Sequence, residues 1–231
     1  GCAVRRDALS RIAAARNGRG PFAVDSLTED YELGLKISLD GGRGRFLRVR
    51  ASNGQLIATR AFFPARLSQS VRQKTRWMHG IALQGWDRLG WGRDPVELWM
   101  QLRDRRGPLA AILLVTAYVL VALIALQLLL ERAGLVPPPP GSPLLQTLLW
   151  VNLAGVAQRF AVRFYCTARE FGWRQGLLAI PRTFVSNIIA IMAGRRALLA
   201  YIGTLRGAPV VWDKTEHRDH PAMASPEGQV A

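Results

Sequence analysis

The most regular hydrophobic feature of the sequence is the uncharged run from Pro108 to Leu130. A helix of roughly 20 apolar residues crosses the hydrocarbon core of a bilayer, which is about 30 Å thick. A core helix of a water-soluble protein rarely runs this long without a polar face, and this run carries no charge. The pattern therefore predicts a transmembrane helix over 108–130 in an integral membrane protein.

A second apolar segment, from Leu144 to Tyr165, predicts a helix that returns the chain across the membrane. Its last turns contain Gln158, Arg159 and Arg163, at a depth where arginine side chains can reach lipid headgroups. The loop over 131–143 contains four consecutive prolines, which resist helix formation and give a stiff connection. We therefore expect two spans, 108–130 and 144–165.

The third apolar stretch, Leu177–Ala193, permits two interpretations, because Pro181, Arg182 and Asn187 interrupt it. A third crossing would place the basic residues that follow on the outside, against the positive-inside rule. These residues are Arg195, Arg196, Arg206, Lys214 and Arg218. We favour an interfacial or re-entrant helix within 166–206, followed by a cytoplasmic tail over 207–231.

Charge beside the first span predicts its orientation. Arg103, Arg105 and Arg106 precede the span, whereas Arg132 is the only basic residue of the loop after it. Since cytoplasmic flanks carry the excess of basic residues, we place residues 1–107 in the cytoplasm and the proline-rich loop outside.

The segment before the first span contains both helical and extended patterns. Residues 7–16 predict an amphipathic helix, and a second helix follows Ser26. Two apolar runs flank Ser52-Asn53-Gly54, which predicts a β-hairpin. From Leu67 to Trp91 the pattern is helical again, with tryptophans among basic residues, as is typical of the membrane interface. The fold class predicted is α/β (1–66), then interfacial helices (67–107) and membrane helices.

The overall charge does not indicate a nucleic-acid partner. The chain contains 31 basic and 16 acidic residues, but the basic excess is spread through both halves of the chain. There is no lysine-rich tail and no recognisable nucleic-acid-binding motif. Basic flanks of apolar spans instead suit anionic membrane lipid. The two cysteines, Cys2 and Cys166, are too few for a disulfide framework, and we expect Cys166 to be a small buried residue.

Three acids cluster in the stretch SLTEDYELG, at Glu29, Asp30 and Glu32. One interpretation is a capping box, in which Ser26 and Glu29 satisfy amides at a helix start. The other is that one carboxylate takes a proton from a substrate. The two interpretations are compatible, because a helix start is a rigid place to hold a base.

A second constellation lies in VRQKTRWMHG, where Gln73, Arg76 and Trp77 form Q-x-x-R-W. One interpretation is an interfacial helix with Arg and Trp anchors. In a functional interpretation, the planar fork of Arg pairs with diphosphate oxygens, Trp offers a flat face to a sugar ring, and Gln donates and accepts hydrogen bonds.

The T-E-D motif followed about forty residues later by Q-x-x-R-W, with a span downstream, resembles the processive family 2 glycosyltransferases, the superfamily of cellulose and hyaluronan synthases. One branch of this superfamily, the bacteriophage adsorption protein B type of bacterial inner-membrane glycosyltransferase, is similar to this sequence in three longer segments. These are SLTEDYELGLKI, RQKTRWMHGIALQGWDRLGW and WDKTEHR. The resemblance implies a multi-pass protein of the inner membrane with a cytoplasmic catalytic part and a GT-A-like nucleotide-sugar domain.

The resemblance also implies roles for matching residues. Asp30, beside Thr28 and Glu29, would be the general base that deprotonates the acceptor hydroxyl. Gln73 and Arg76 would lie along the donor diphosphate, and Trp77 under the acceptor sugar. Further candidates are His79 near the diphosphate, Arg5 and Arg6 near the acceptor, and Lys214 and His217 in a tail that folds over the donor site. For His79, the alternative to the functional role is a structural one. For Lys214 and His217 in the tail, the alternative is a solvated basic turn.

The sequence departs from the family pattern in two respects. Family members typically hold a divalent metal, Mg or Mn, with an Asp-x-Asp that these 231 residues lack. The nucleotide-binding strands expected ahead of T-E-D are also missing. We therefore expect the chain to be the C-terminal portion of a longer enzyme, without metal ligands of its own and inactive in isolation.

Two functions of different classes follow from these observations. The first is an inverting membrane glycosyltransferase that moves a sugar from a nucleotide sugar to a growing glycan or a lipid, for exopolysaccharide or surface glycan synthesis, with a possible export partner protein. The second is a non-catalytic subunit of a secretion or phage-receptor complex on a glycosyltransferase-like scaffold, in which Asp30 only caps a helix. The sequence upstream of Gly1 discriminates between them.

Overall fold

The computed structural model describes residues 2–18, 20–23, 26–54, 56–57, 64, 66–92, 94–138 and 141–210. These residues form nine α-helices and one π-helical segment. The helices are α1 (Arg6–Ala14), α2 (Glu29–Leu39), α3 (Leu67–Met78), α4 (Gly85–Leu89), α5 (Pro95–Arg105), α6 (Gly107–Arg132), α7 (Pro143–Phe171), α8 (Trp173–Ala179) and α9 (Pro181–Leu205), with the π-helical segment at His79–Gln84. They divide into two compact units, Gly1–Ala110 with Met192–Ala231, and Ala111–Ile191.

The helices expected before the first span are confirmed, with shifted ends. Helix α1 ends where Asn17 and Gly18 take positive φ angles of 54° and 74°, and the Gly18 amide donates to the Ala13 carbonyl. This left-handed exit is a common helix stop, and glycine and asparagine tolerate it best. Arg11 on α1 then pairs with Asp40 at the end of α2, with 2.7 Å between Nε and Oδ2.

The predicted hairpin is only partly visible. Arg50 and Leu56 form an isolated antiparallel bridge, and the turn between them closes with the Gly54 amide on the Ala51 carbonyl at 2.9 Å. The second predicted run extends into residues 58–63, which lie outside the described part. Because the described residues contain this bridge but no longer strand, the α/β class is not confirmed, and the described fold is mostly helical.

Helices α3 to α5 form the centre of the first unit. Val71 and Met78, which share one face of α3, are buried. The π-helical segment continues α3 directly. Arg105 near the end of α5 is also buried, and it donates to the carbonyls of Gly90 and Gly85 while its guanidinium lies 4.5 Å from the centre of the Trp91 ring. A single arginine thus holds the short helix α4 against α5.

In the second unit, α7 and α8 pack as an antiparallel pair around Gly172, whose φ of 88° permits the sharp reversal. The pair is close at Gly176, where an added Cβ would lie 2.8 Å from the Ala168 Cβ. Arg163 of α7 donates to Thr183 of α9 at 2.7 Å. The Asn187 amide likewise donates to the Tyr118 hydroxyl of α6 at 3.2 Å.

Two of the described helices are long and apolar enough to cross a membrane, α6 and α9. In α6 only 6% of the most apolar window is buried, so it does not form the core of the described structure. Helix α7, which contains the predicted span 144–165, is longer but more polar, because Gln146, Asn152, Gln158 and Arg159 interrupt it. The predicted arrangement of spans and of the interfacial segment 166–206 stays a prediction.

The third apolar stretch, 177–193, lies in α8 and in the longer α9, which continues to Leu205. One expectation in this region needs correction: Cys166 is exposed and unpaired, not buried. The reason is that α7 contains no buried residue among those described.

Candidate functional site

The T-E-D motif forms the start of α2. Thr28 is the N-cap, and Glu29 and Asp30 open the helix. The predicted capping box of Ser26 and Glu29 is wrong, because the N-cap lies two residues after Ser26 and makes no side-chain cap hydrogen bond. The buried Ser26 hydroxyl instead accepts from the Thr28 amide at 3.4 Å.

Asp30 is exposed at this helix start. Its Oδ1 accepts the Tyr31 amide at 2.8 Å, which fixes the plane of the carboxylate. Within the described part of the chain, no donor occupies the other oxygen. The carboxylate is therefore held by the backbone on one side and accessible on the other, so one oxygen is free to accept a hydrogen bond.

The Q-x-x-R-W residues lie on one face of α3. Gln73, Arg76 and Trp77 follow each other at i, i+3 and i+4, so their side chains are neighbours along the helix. All three are half-buried. The opposite face carries the buried Val71 and Met78, and Met78 Cγ lies 3.3 Å from the position of a Cβ added to Gly107. Helix α3 is thus anchored by its apolar face, with the motif on the other.

The π-helical segment that continues α3 contacts the residues that lead into the T-E-D helix. Gly80 and Gln84 lie in this segment, three and seven residues after Trp77. A Cβ added to Gly80 would lie 2.6 Å from Thr28 Oγ1. The Gln84 side chain accepts the buried Leu27 amide at 3.2 Å. Residues that follow the Q-x-x-R-W motif thus contact the N-cap of the T-E-D helix and the residue before it.

An ion-pair cluster joins the T-E-D helix α2 to α4. Glu32 is only 5% exposed, and it pairs with Lys36 at 2.6 Å and with Arg88 of α4 at 3.3 Å. Burial raises the pKa of Glu32, but the hydrogen bonds from Lys36 and Ser26 and the charge of Arg88 outweigh it, so the pKa lies below its usual value. Of the three clustered acids, Glu32 is therefore structural.

His79 lies at the first position of the π-helical segment and is 6% exposed. Its ring meets the Tyr201 ring edge-on, with the centroids 6.1 Å apart, and the Tyr201 hydroxyl donates to Asp87 at 2.9 Å. Burial lowers the pKa of His79, and the Asp87 charge only partly offsets this. A neutral, packed imidazole agrees with the structural interpretation, and a role at the diphosphate stays a prediction.

The remaining candidates are spread more widely. Arg5 forms two hydrogen bonds to the Asp7 carboxylate, at 3.0 and 2.9 Å, and both Arg5 and Arg6 are exposed at the start of α1. No described contact joins them to the T-E-D or Q-x-x-R-W residues. Lys214 and His217 lie outside the described residues, so the proposed closure of the tail over the site stays a prediction.

No holder for a divalent metal is found among the residues that the structure describes. The described residues contain no group of three or more histidine, cysteine or acidic side chains able to bind one, and the sequence contains no Asp-x-Asp. The residues present therefore do not fit the metal that the family resemblance implies.

Several residues of this site were not found by sequence reasoning. Gly80 and Gln84 were missed because they lie beyond the Q-x-x-R-W motif. Glu32 was assigned only to the acid cluster. Its position four residues before Lys36 was the available signal for an ion pair. Tyr201 and Asp87 gave no signal, since 114 residues separate them.

Comparisons with known proteins identify the family of the chain. A model of the family described as Glycosyl transferase family group 2 matches residues 1–130, which include both motifs and α6 up to Leu130. Over 96% of its length, the chain is 32% identical to Bacteriophage adsorption protein B of Escherichia coli (strain K12) and to Bacteriophage N4 adsorption protein B of Escherichia coli O157:H7.

The alignment covers 32% of each relative, so the chain spans about a third of the length of these curated proteins. No solved structure matches the chain. The family suggested by the two motifs is confirmed by the family match over more than half of the sequence: the chain belongs to glycosyl transferase family group 2.

Proposed function

We propose that this chain forms the acceptor-side part of the active site of an inverting membrane glycosyltransferase. The observation that carries the proposal is the contact between Gly80 and Thr28, which joins the π-helical continuation of the Q-x-x-R-W helix to the N-cap of the T-E-D helix. A motif that suits a diphosphate sugar donor and a motif that suits a general base therefore lie on segments that contact each other.

The chemistry proposed is one displacement at the anomeric carbon of a nucleotide sugar. The acceptor hydroxyl oxygen attacks that carbon and gives its proton to the open oxygen of Asp30. The bond from the anomeric carbon to the diphosphate breaks with its electron pair, and a nucleoside diphosphate leaves. Arg76 stabilises the charge that develops on the diphosphate, and Trp77 stacks on the acceptor sugar.

We further propose a multi-pass location in a bacterial inner membrane with α1 to α5 in the cytoplasm. The uncharged run 108–130 within α6 and the arginines that precede it support this orientation. The donor is a nucleotide sugar and the acceptor a growing glycan or a lipid. The ligands of a divalent metal would come from residues outside the described part, since the described residues do not fit one.

The experiment uses membranes that contain the full-length parent protein. Nucleoside diphosphate release is measured from a panel of nucleotide sugars for the wild type and for Asp30→Asn. Loss of a general base typically slows a reaction by about 10²- to 10⁴-fold, and we expect a decrease in this range. The donor that supports release also identifies the sugar.

The matched control is Asp40→Asn, which changes an exposed acid at the opposite end of the same helix. It lies ten residues from Asp30, or about 15 Å along the axis, and should leave release within a factor of about two, because exposed ion pairs contribute little. Equal release by Asp30→Asn and the wild type would show that Asp30 is not the base.

A second candidate function is a non-catalytic scaffold in a phage-receptor or secretion complex. The observation that favours it is that both relatives are named for bacteriophage adsorption. If no donor were turned over by wild-type membranes supplied with acceptor glycans and metal, and Asp30→Asn still supported assembly of the complex, the scaffold would be the better account.

A further inference from the structure

One face of α7 carries an open groove that the proposed reaction does not use. Residues spaced at i, i+3 and i+4 line a shallow, open cavity of about 550 Å³; among them are Gly155, Gln158, Arg159, Val162, Arg163 and Thr167. This spacing places them along a single helical stripe. The absence of a side chain at Gly155 leaves the outer end of the stripe open.

The groove is built around one fixed arginine. Arg163 donates to the Thr183 hydroxyl at 2.7 Å, and Thr183 is only 3% exposed and itself donates to the Ala179 carbonyl. The guanidinium is therefore held in place before any ligand arrives. Arg159 lies one turn away on the same stripe, so the two guanidinium groups can face one anion together.

The charge of these arginines is not balanced within the second unit. Residues 111–191 contain six arginines and only two acids, Glu131 and Glu170. Glu170 follows Arg159 by eleven residues, which is about 16 Å along the helix axis. No ion pair to Arg159 or Arg163 is present among the described residues. Two unbalanced arginines one turn apart predict a bound anion, and their planar forks suit phosphate oxygens.

The surroundings of the groove are apolar and exposed. Val156, Val162 and Tyr165 on the same stretch of α7 are exposed by 46%, 55% and 61%. A ligand that fits both features has a phosphate head and a hydrocarbon tail. We propose that this groove binds the phosphate of a membrane lipid through Arg159 and Arg163, with Gln158 and Thr167 as neutral hydrogen-bond partners.

The test measures thermal stabilisation of the full-length protein in detergent micelles. Three additives are titrated separately: phosphatidylglycerol, diacylglycerol with the same acyl chains but no phosphate, and inorganic phosphate. The variant is Arg159→Gln, which leaves the hydrogen bond of Arg163 intact. Its control is Arg169→Gln, an exposed arginine ten residues further along α7 and outside the groove.

Phosphatidylglycerol should stabilise the wild type and Arg169→Gln at similar concentrations, whereas Arg159→Gln should need about tenfold more because it loses charge-assisted hydrogen bonds. Diacylglycerol should have no specific effect. If inorganic phosphate alone gave the same stabilisation, and Arg159→Gln reduced it, the groove would be an anion site. The assignment of that anion to a membrane lipid would then be wrong. If the two variants responded alike to phosphatidylglycerol, the site itself would be excluded.

Discussion

Gly80 lies so close to Thr28 that a single added methyl group would reach 2.6 Å from the threonine Oγ1 and 2.8 Å from its Cγ2. Contacts this short cannot persist, so the two elements would have to move apart. Glycine at position 80 is therefore a requirement for the close approach of the π-helical segment to the N-cap of the T-E-D helix. π-Helical turns inside α-helices are frequently found at functional sites, and this one contacts the N-cap of the T-E-D helix.

The first prediction concerns this contact. We expect Gly80→Ala to destabilise the full-length protein by about 1–3 kcal/mol, the usual cost of adding a methyl group to a packed interface. Because the shift displaces Asp30 relative to Arg76, nucleoside diphosphate release should fall more than stability alone explains. The thermal midpoint and the release rate are measured on the same preparation.

The control for this substitution is Gly34→Ala on α2, where an added Cβ meets nothing within 4 Å. Alanine in a helix interior is more favourable than glycine by roughly 0.5–1 kcal/mol, so this variant should be slightly more stable than the wild type. If Gly80→Ala behaved like Gly34→Ala, the tight contact would not exist in the protein.

The sequence was sufficient to identify the two motifs but not the contact between the segments that carry them. Thr28-Glu29-Asp30 and Gln73, Arg76 and Trp77 were recognised by residue type and spacing. The contact depends on Gly80, and a glycine within a helical pattern has no side chain by which to predict a partner. The capping box failed for a related reason: the pattern of Ser26 and Glu29 was present, but the chain entered the helix two residues later.

The second prediction concerns acid stability. The pKa of Glu32 lies below its ordinary value of 4.5, so its ionised form stabilises the folded state at pH values above 4.5. This contribution is lost as the pH falls below 4.5 and through the lower folded-state pKa. Glu32→Gln should lower stability at neutral pH by about 1–3 kcal/mol, the cost of leaving buried polar partners unsatisfied.

Thermal midpoints of the wild type and Glu32→Gln are compared between pH 7 and pH 3.5. The difference between them should shrink below pH 4.5, because protonated glutamic acid and glutamine then resemble each other. Asp40→Asn, which removes an exposed ion pair, should change stability by only about 0.2–1 kcal/mol. A constant difference across the whole range would contradict the proposed role of Glu32.

The fold was less predictable than the motifs. The uncharged run 108–130 predicted α6 closely, because an apolar run of that length has few alternatives. Of the extended runs 45–51 and 55–63, the described residues show only the bridge of Arg50 and Leu56, since strand pairing depends on partners distant in sequence. The break between α8 and α9 lies at Ile180, immediately before Pro181. We identified Pro181 as an interruption but not as the first residue of a helix.

The third prediction concerns His79. Burial lowers its pKa from the ordinary value of 6.5, so the folded protein keeps the imidazole neutral while the unfolded chain takes up a proton. The contribution of the neutral imidazole to folding stability is therefore fully present above pH 6.5. It is lost as the pH falls from 6.5 through the lower folded-state pKa. His79→Gln should flatten this dependence between pH 7.5 and pH 5.5.

The design removes the other titrating imidazoles first. Of the three histidines in the chain, His217 and His220 are replaced by glutamine in both proteins, and histidines elsewhere in the parent protein are common to both. Any difference in pH dependence then belongs to His79. If the two proteins lost stability in parallel below pH 6.5, the imidazole would be protonated in the folded state and the packed, neutral form would be wrong.

The last prediction concerns the hydrogen bond from Tyr201 to Asp87, which ties the end of α9 to α4 at 2.9 Å. Tyr201→Phe keeps the ring beside His79 and removes only the hydroxyl, so the loss should be that of one hydrogen bond, about 0.5–1.5 kcal/mol. Tyr165→Phe is the matched control, because Tyr165 is exposed and has no hydrogen-bond partner among the described residues; it should change stability by less than about 0.5 kcal/mol. Thermal midpoints of the full-length variants decide the comparison. Equal midpoints for the two variants would mean that α9 is held by its apolar contacts alone, and a larger loss for Tyr165→Phe would place the important hydroxyl in α7.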